Sequence, residues 1–192
     1  MQEIILENTR VKLSPLTLEN YHYLEGVART PKLVQYSPTK IDTPEDLKAY
    51  TETALQQKNN ATAIPFIILD KVTNTYAGAT RYMNINRQHR VLEIGATWIG
   101  RNFQGKGLNM HMKFLMLQHA FEVMSMDKVE FRVDERNITS RKAVEKIGGK
   151  LEGILRKNVI LNDGFIRNTC CYGILKDEWK TFKPLFPLPK DA

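Results

Sequence analysis

The residues best suited to chemistry in this 192-residue chain lie in a short glycine-bearing loop, residues 101–109. The loop follows an apolar run over residues 91–99 and opens an amphipathic stretch, so its predicted context is strand, loop and helix. Gly105 and Gly107 allow the backbone to approach a ligand closely, and the first N–H groups of the following helix have no internal partners. The helix dipole and Lys106 add positive charge at that end. The loop therefore predicts a binding site for a phosphate or diphosphate.

Residue types distinguish the kinds of phosphate-binding loop that this spacing could form. If the stretch from Gly100 is a Walker loop, Gly107 stands where a Ser or Thr hydroxyl should hold magnesium. If it is a dinucleotide-binding fingerprint, Met110 stands where a third glycine should let helix and strand pack closely. Both interpretations fail on these residues. A plain turn before a helix and a third kind of anion-binding loop stay open.

Length and composition limit the class of protein. A chain of 192 residues with 42% hydrophobic content suits one packed domain, which we expect over residues 1–183, followed by an extended, proline-containing tail over residues 184–192. The chain shows no signal-peptide pattern and no apolar run of membrane-spanning length, so we expect a cytoplasmic protein without a membrane partner. Cys170 and Cys171 are adjacent, so a strand sends them to opposite faces and a disulfide framework is excluded.

The formal charge of +7 suits a polyanionic partner such as a phosphorylated cofactor or a nucleic acid. Lysines and arginines are nevertheless scattered along the chain without a long basic run, which is typical of solvated surface. We therefore expect no direct nucleic-acid binding.

Hydrophobic periodicity and turn signals predict alternating strands and helices. Residues 4–6 and 11–16 are predicted to form either a strand pair or one bent strand. The other predicted strands cover residues 63–69, 76–85, 91–99, 128–133, 150–161 and 165–175. The predicted helices cover residues 17–28, 43–58, 107–124 and 137–147, with a final helical turn over 177–182. The irregular residues 33–41 form either a linker or one wall of a substrate cleft.

Several motifs in order along the chain resemble the GNAT superfamily of N-acetyltransferases, in particular the branch of the ribosomal-protein N-terminal alanine acetyltransferases. The loop matches the pattern Q/R-x-x-G-x-G/A except at Asn109, where the family has a small residue. The other matching blocks are Glu93-Ile94-Gly95, Asn137 with Ser140, Glu145-Lys146-Ile147-Gly148, Glu152-Gly153-Ile154-Leu155-Arg156, and Tyr172 to Trp179 in the pattern Y-x-I-L-x-x-E-W.

The resemblance implies an α+β fold with a mixed, largely antiparallel sheet of about seven strands flanked by about four helices. The sheet would open after the central strand, and there Trp98 and Ile99 would pair with the pantetheine arm of acetyl-CoA. Acetyl-CoA would be the co-substrate, and no metal ion would be required. Asn137 would bind the pantetheine amides, although it could instead cap a helix. The pyrophosphate would lie on the backbone amides of Gln104, Gly105, Lys106, Gly107, Leu108 and Asn109.

Attack of an amine on a thioester needs a neutral amine, a polarised carbonyl and a proton for the departing thiolate. A strand amide near Trp98 or Ile99 would polarise the carbonyl. Many GNAT enzymes use a tyrosine as general acid, but Val144 occupies that position here, so the resemblance leaves Ser140 as the candidate proton donor. Glu93 could accept the amine proton, directly or through water, or could be an outward-facing charge on its strand.

These inferences predict an acetyl-CoA-dependent N-acetyltransferase acting on a primary amine, either a protein N-terminal α-amine or a small molecule. The alternative is a non-catalytic module of the same fold that binds CoA or an acidic partner. A nucleotide hydrolase is disfavoured by Gly107. The acceptor and the oligomeric state, for which a homodimer is one option, are not encoded in any readable motif. The acceptor pocket would be shaped by residues 33–41, the tip of the last hairpin and the tail.

Overall fold

The computed structural model describes residues 3–186, which build one mixed β-sheet with helices on both faces. The eight strands of this part of the chain are β1 (Leu6–Glu7), β2 (Val11–Pro15), β3 (Ile64–Asp70), β4 (Thr75–Asn86), β5 (Val91–Ile99), β6 (Lys128–Asp134), β7 (Lys150–Ile160) and β8 (Ile166–Leu175). The α-helices described are α1 (Glu25–Ala28), α2 (Pro44–Asn59), α3 (Leu108–Gln118), α4 (Ile138–Lys146) and α5 (Lys176–Phe182).

The strands lie in the order β1-β2-β3-β4-β5-β6-β8-β7, and every neighbouring pair is antiparallel except β5–β6. The predicted fold class is therefore confirmed. The sheet has one strand more than the seven expected because β1 and β2 are separate. Between them the Asn8 side chain accepts hydrogen bonds from the N–H groups of Arg10 and Val11, which fixes a tight turn.

The helix predicted over residues 17–28 is wrong in its first part. Polar side chains there bind the backbone and hold it out of a helix: Asn20 accepts from the Thr17 N–H, and Thr17 accepts from the Glu19 N–H. A 3-10 turn, Tyr21–Leu24, and the single-turn α1 follow. By contrast, α2 begins where predicted, because the Thr43 hydroxyl accepts from the Asp46 N–H and Pro44 occupies the first turn.

Two apolar clusters hold helices to opposite faces of the sheet. One cluster joins α3, α4 and α5 to the sheet through side chains such as Met112, Val144 and Trp179. The other joins α1 and α2 to the sheet through Ala28, Leu47 and neighbours. Each face of the central strands is therefore covered, which explains why β3 reads as a nearly continuous apolar run.

The C-terminal segment begins to depart from the predicted extended tail at its first residues. Pro184 and Leu185 lie in a 3-10 turn, Lys183–Leu185, which continues α5. Phe186 is buried, with its ring 5.2 Å from that of Phe114 and 5.9 Å from that of Trp179. The rest of the predicted tail, residues 187–192, lies outside the described residues. Within residues 3–186, no helix is long and apolar enough to cross a bilayer.

Candidate active site

The parallel strands β5 and β6 pair over a short distance and then separate. Their register joins Val91 to Lys128, Leu92 to Val129 and Glu93 to Glu130, and no pairing follows. Beyond these pairs, residues 94–99 of β5 and residues 131–134 of β6 diverge and leave an opening that we call the fork. A sheet that opens in this way exposes unpaired backbone edges inside the molecule, where an extended ligand can complete the hydrogen bonding.

A bulge shapes the β5 side of the fork. The register against β4 shifts between Ala79, which faces Trp98, and Arg81, which faces Gly95. The extra residue is accommodated by Ala96, which adopts a left-handed φ of 47°. A bulge of this kind reorients local N–H groups and side chains, and bulges are frequent beside active sites.

A cavity of about 430 Å³ occupies the fork. Five of the sequence-predicted site residues line it: Glu93, Trp98, Asn109, Asn137 and Ser140. Ile99 and residues 104–108 are not part of its wall, and Asn109 connects the cavity to their loop. The lining also includes polar residues that no sequence motif indicated, among them Asn84, Lys113, Arg132, Asp134 and Arg167.

Glu93 is a buried carboxylate at the base of the fork, with 5% of its surface exposed. Burial raises its pKa, although the hydrogen bond from Asn84 and the charge of Arg132 oppose the rise. The Asn84 Nδ2 donates to Glu93 Oε2 at 2.8 Å, from a second irregularity of β4 where Asn84 has a φ of 52°. Arg132 Nε lies 3.5 Å from the same oxygen. Glu93 therefore faces the cavity, and the outward-facing alternative is excluded.

The glycine loop presents a run of unpaired amides. Among residues 3–186 none accepts a hydrogen bond from the backbone N–H groups of residues 105–109, whereas those of Met110 and His111 donate to the Gly107 carbonyl. Gly105 and Gly107 have φ values of 73° and 82°, which glycine adopts at little cost. This arrangement at the start of α3 is a nest for an anion.

Gln104 differs from the rest of the loop. Its N–H donates to the Arg101 carbonyl at 3.1 Å, and its side-chain Nε2 donates to the Ile99 carbonyl at 2.7 Å. The backbone N–H of Gln104 is therefore already used, in contrast to the prediction that it would hold a phosphate. Gln104 ties the loop to the end of β5 and so orients the amides that follow.

Asn137 and Ser140 lie together at the start of α4. Asn137 is the helix cap, since its Oδ1 accepts from the Ser140 N–H at 3.1 Å. The capping role that the sequence left open is therefore present. The Asn137 Nδ2 has no partner among the described residues and belongs to the cavity wall. Ser140 and Val144, one turn apart, line the same wall.

Lys113 is a buried lysine in the wall of the cavity, with 6% of its surface exposed. Its Nζ donates to Thr97 Oγ1 at 3.1 Å and lies 5.6 Å from the centre of the Phe131 ring. Burial lowers the pKa of Lys113 to about 7. The sequence signal that could have identified it is a charge amid the core-facing residues of α3, next to the buried Met112.

Arg167 and Asp134 line a further side of the cavity. Arg167 Nη1 donates to the Tyr36 carbonyl at 2.8 Å, and burial lowers the pKa of the guanidinium. Burial raises the pKa of Asp134, but hydrogen bonds from Arg136 outweigh this effect, so the pKa is lowered overall. Residues 33–34 and 36–39 close this side, which shows that the irregular segment is a cleft wall. In the described part of the chain, no group of three or more His, Cys, Asp or Glu residues could hold a metal ion.

Comparisons with known proteins agree on the fold. A family model described as "Acetyltransferase (GNAT) domain" matches residues 10–150. The Bacillus subtilis (strain 168) protein named "Putative ribosomal N-acetyltransferase YdaF" is 32% identical over 97 residues, 50% of this chain and 52% of that protein. The match thus spans about half the length of that relative. Spermidine N(1)-acetyltransferase of Escherichia coli (strain K12) is 26% identical over 159 residues, 82% of each chain.

Two solved structures are also similar. A GCN5-related N-acetyltransferase from Brucella melitensis superposes with a TM-score of 0.88 at 23% identity, covering 97% of this chain and 85% of its own. The microcin C7 self-immunity acetyltransferase MccE, solved in complex with acetyl-CoA and AMP, has a TM-score of 0.77 at 22% identity, covering 88% of this chain and 93% of its own. At these identities the likeness establishes the fold.

Proposed function

Because the chain belongs to the GNAT acetyltransferase family, we propose that it transfers the acetyl group of acetyl-CoA to a primary amine, which is a protein N-terminal α-amine or the amine of a small molecule. The observation that carries this proposal is the fork. It joins an unpaired strand edge, a buried carboxylate and the start of α4 in one cavity of about 430 Å³.

In this proposal the glycine loop binds the diphosphate of acetyl-CoA. The unpaired amides of residues 105–109 supply the hydrogen bonds, and exposed Lys106 adds positive charge. The pantetheine arm follows the edge of β5 at Trp98 and Ile99, where the Ile99 carbonyl already accepts from Gln104 Nε2. The Nδ2 group of Asn137 donates to one of the carbonyls of the arm. Asn109 follows the loop and lines the cavity, which supports this path.

Side chains and a backbone N–H group of this chain accept the amine proton, stabilise the developing negative charge and bind the sulfur. Glu93 removes a proton from the acceptor amine, directly or through water, and the rise of its pKa on burial makes it a stronger base. An N–H group of β5 near the bulge at Ala96 donates to the carbonyl oxygen as negative charge develops on it. Ser140 faces the sulfur from α4. The Asn137 cap holds the backbone N–H of Ser140, and the Ser140 hydroxyl donates a hydrogen bond to the sulfur.

The test is thiol release from acetyl-CoA with a panel of acceptors: N-terminal peptides, spermidine and aminoglycosides. We expect release with at least one of them and loss of acetyl-CoA binding, measured by calorimetry, when the loop is disrupted. If acetyl-CoA neither binds nor reacts, the proposal is contradicted. If it binds tightly and no acceptor promotes release, the non-catalytic alternative is favoured.

We also propose a cytoplasmic protein that does not bind nucleic acid directly. The scattered distribution of the excess of positive charge supports this view. Retention on DNA that persists at low salt and falls steeply with added salt would contradict it, since that behaviour indicates direct phosphate contacts.

A further inference from the structure

Lys113 is a buried lysine that pairs with no carboxylate in the described part of the chain. Its side chain is 6% exposed, and no carboxylate among residues 3–186 lies within ion-pair distance of its Nζ. Its single hydrogen bond in this part of the chain goes to the Thr97 hydroxyl. Burying a lysine with so little compensation is costly, so structures retain such groups mainly where they serve a function.

The position of the Lys113 ammonium group within the fork indicates which part of a bound ligand it would contact. Thr97 belongs to the diverging part of β5, and Phe131 is the first residue of β6 after the last paired residue, Glu130. The Nζ atom lies 3.1 Å from Thr97 Oγ1 and 5.6 Å from the centre of the Phe131 ring. The group thus lies at the base of the fork, on the face covered by α3.

The helix itself links this position to the anion-binding loop. Lys113 follows Asn109 by one helical turn, so both side chains lie on one face of α3, and both line the cavity. A ligand whose diphosphate lies on the amides of residues 105–109 can pass Asn109, so that its far end enters the cavity that Lys113 also lines. In the proposed function, that far end is the thioester.

We propose that the Lys113 ammonium group protonates the CoA sulfur as the thiolate leaves. This inference rests on the proposed acetyl transfer. The amine nitrogen forms a bond to the acetyl carbon, the carbon–sulfur bond breaks, and the sulfur takes a proton from Nζ. The nitrogen loses its proton to Glu93 or water. Glu93 then releases that proton to solvent and Lys113 takes one up from solvent, so both groups return to their starting protonation states. The products are the amide and the free thiol.

The chemistry of the groups supports this direction of transfer. An ordinary thiol has a pKa of about 8.5, and a hydroxyl such as that of Ser140 is a far weaker acid than an ammonium group. Burial lowers the pKa of Lys113 to about 7, so its proton passes to a thiolate downhill. Ser140 then acts as a hydrogen-bond donor that orients the sulfur, and Lys113 supplies the proton.

The other charged groups around the cavity do not compete for this role. β5 contributes Glu93, β6 contributes Arg132 and Asp134, and β8 contributes Arg167, whereas the α4 wall contributes no charge. Glu93 is held by Asn84 and Arg132, and Asp134 is held by Arg136. None of these forms an ion pair with Lys113. The Lys113 ammonium group is therefore paired with neither of these carboxylates, and its proton is available for transfer to a ligand.

The experiment compares Lys113→Met, Lys113→Arg and wild type in steady-state kinetics over pH 6–10 with the best acceptor. Lys113→Met removes the proton and the charge at similar volume, and Lys113→Arg keeps the charge but is too weak an acid to donate.

We expect kcat to fall about 100-fold in both, with the KM for acetyl-CoA within about three-fold of wild type. Wild-type kcat should also decline above the pKa of Lys113, and this alkaline decline should vanish in Lys113→Met. Exposed Lys48→Met on α2 is the matched control.

The outcomes separate the two proposals. If kcat and its pH profile are unchanged in Lys113→Met, the role of Lys113 is overturned while acetyl transfer stands. If Lys113→Arg restores kcat, charge alone suffices and proton transfer is overturned. If wild type releases no thiol with any acceptor, the proposed function and the inference are both contradicted. Melting curves verify that Lys113→Met folds, since removing a buried charge should not lower its melting temperature at pH 7.

Discussion

At the scale of single residues, burial gives Glu93 and Lys113 unusual protonation behaviour. Burial shifts the two pKa values in opposite directions because it disfavours the charged form, which is the deprotonated carboxylate of Glu93 but the protonated ammonium group of Lys113. It raises the pKa of the carboxyl group and lowers that of the ammonium group to about 7. The two groups lie on different walls of one cavity. Burial therefore moves the pKa values of a base and an acid in the wall of one cavity towards neutral pH.

Glu93→Gln should affect turnover according to the acceptor's own pKa. An α-amine has a pKa of about 7.7 to 8.0, so much of it is neutral near physiological pH and needs little help from a base. We expect a modest fall in kcat for such an acceptor, shrinking as the pH rises above that value. The measurement is a pH–rate series, with Glu130→Gln on the neighbouring strand as control. A collapse of activity that is independent of pH would instead make the carboxylate structural.

Lys113→Met should stabilise the protein in a pH-dependent way. Between pH about 7 and about 10.5 the unfolded chain binds the Lys113 proton and the folded chain does not, so wild-type stability rises with pH in this window. The variant has no such group. Its advantage in unfolding free energy should therefore shrink by about 3 kcal/mol between pH 6.5 and pH 9.5. Urea denaturation at both pH values tests this, and a constant difference would show that the folded lysine keeps an ordinary pKa.

At the scale of elements, the junction of β5, the loop and α3 forms the proposed anion site. Gln104 ties the loop to the end of β5, and the two left-handed glycines turn the chain so that the amides of residues 105–109 are left unpaired. An added Cβ at Gly105 would meet no atom within 4 Å, so the position can carry a side chain. A charged side chain can therefore be introduced at Gly105 to test the junction without a steric clash.

Gly105→Asp and Gly105→Asn form a matched pair for this purpose. Both residues tolerate the left-handed region and have nearly the same shape, so their stabilities should agree. Only Asp places a negative charge beside the bound diphosphate, and we expect it to bind acetyl-CoA about ten-fold more weakly than Asn does. Calorimetry at low and high salt measures the difference, which added salt should reduce. Equal affinities would mean that the loop is only a turn.

The elements also show what the sequence could and could not predict. β5 begins and ends as predicted, since a continuous apolar run bounded by turn residues has few alternatives. The helix over residues 17–28 was wrong at its start because Thr17 and Asn20 bind the backbone locally, which periodicity does not register. Trp98, Asn109 and Asn137 were found through a motif. The sequence did not indicate Lys113 as a site residue, because a charged residue on a core-facing helix can be assigned a role only when the strand opposite it is known.

Contacts between strands set a similar limit. Asn84 and Glu93 are neighbours because two strands pair with an irregular register, and no spacing along the chain reports that pairing. The predicted use of the Gln104 amide failed for a related reason, since a local turn to Arg101 consumes it.

At the scale of the whole molecule, two distant parts of the chain meet over the cavity. The segment 36–39 is held by the hairpin of β7 and β8, and we call these contacts the roof. Asn162 Nδ2 donates to the Thr39 carbonyl at 3.0 Å, and Arg167 Nη1 donates to the Tyr36 carbonyl. The Arg136 guanidinium lies 3.5 Å from the centre of the Phe165 ring and 5.5 Å from that of Tyr36. Tyr36, Thr39 and Arg167 all line the cavity, so the roof forms part of its wall.

Loosening the roof should therefore affect the acceptor and not the cofactor. Phe165→Ala removes the ring stacked on Arg136, and because Phe165 is 43% exposed the change should cost little global stability. A cation–π contact at such a site contributes about 0.5–1 kcal/mol, so we expect the acceptor KM to rise about two- to five-fold. The affinity for acetyl-CoA should stay unchanged because its diphosphate site lies on α3. Ile160→Ala, on the same hairpin and 66% exposed, is the control. Weaker acetyl-CoA binding with an unchanged acceptor KM would place the acceptor elsewhere.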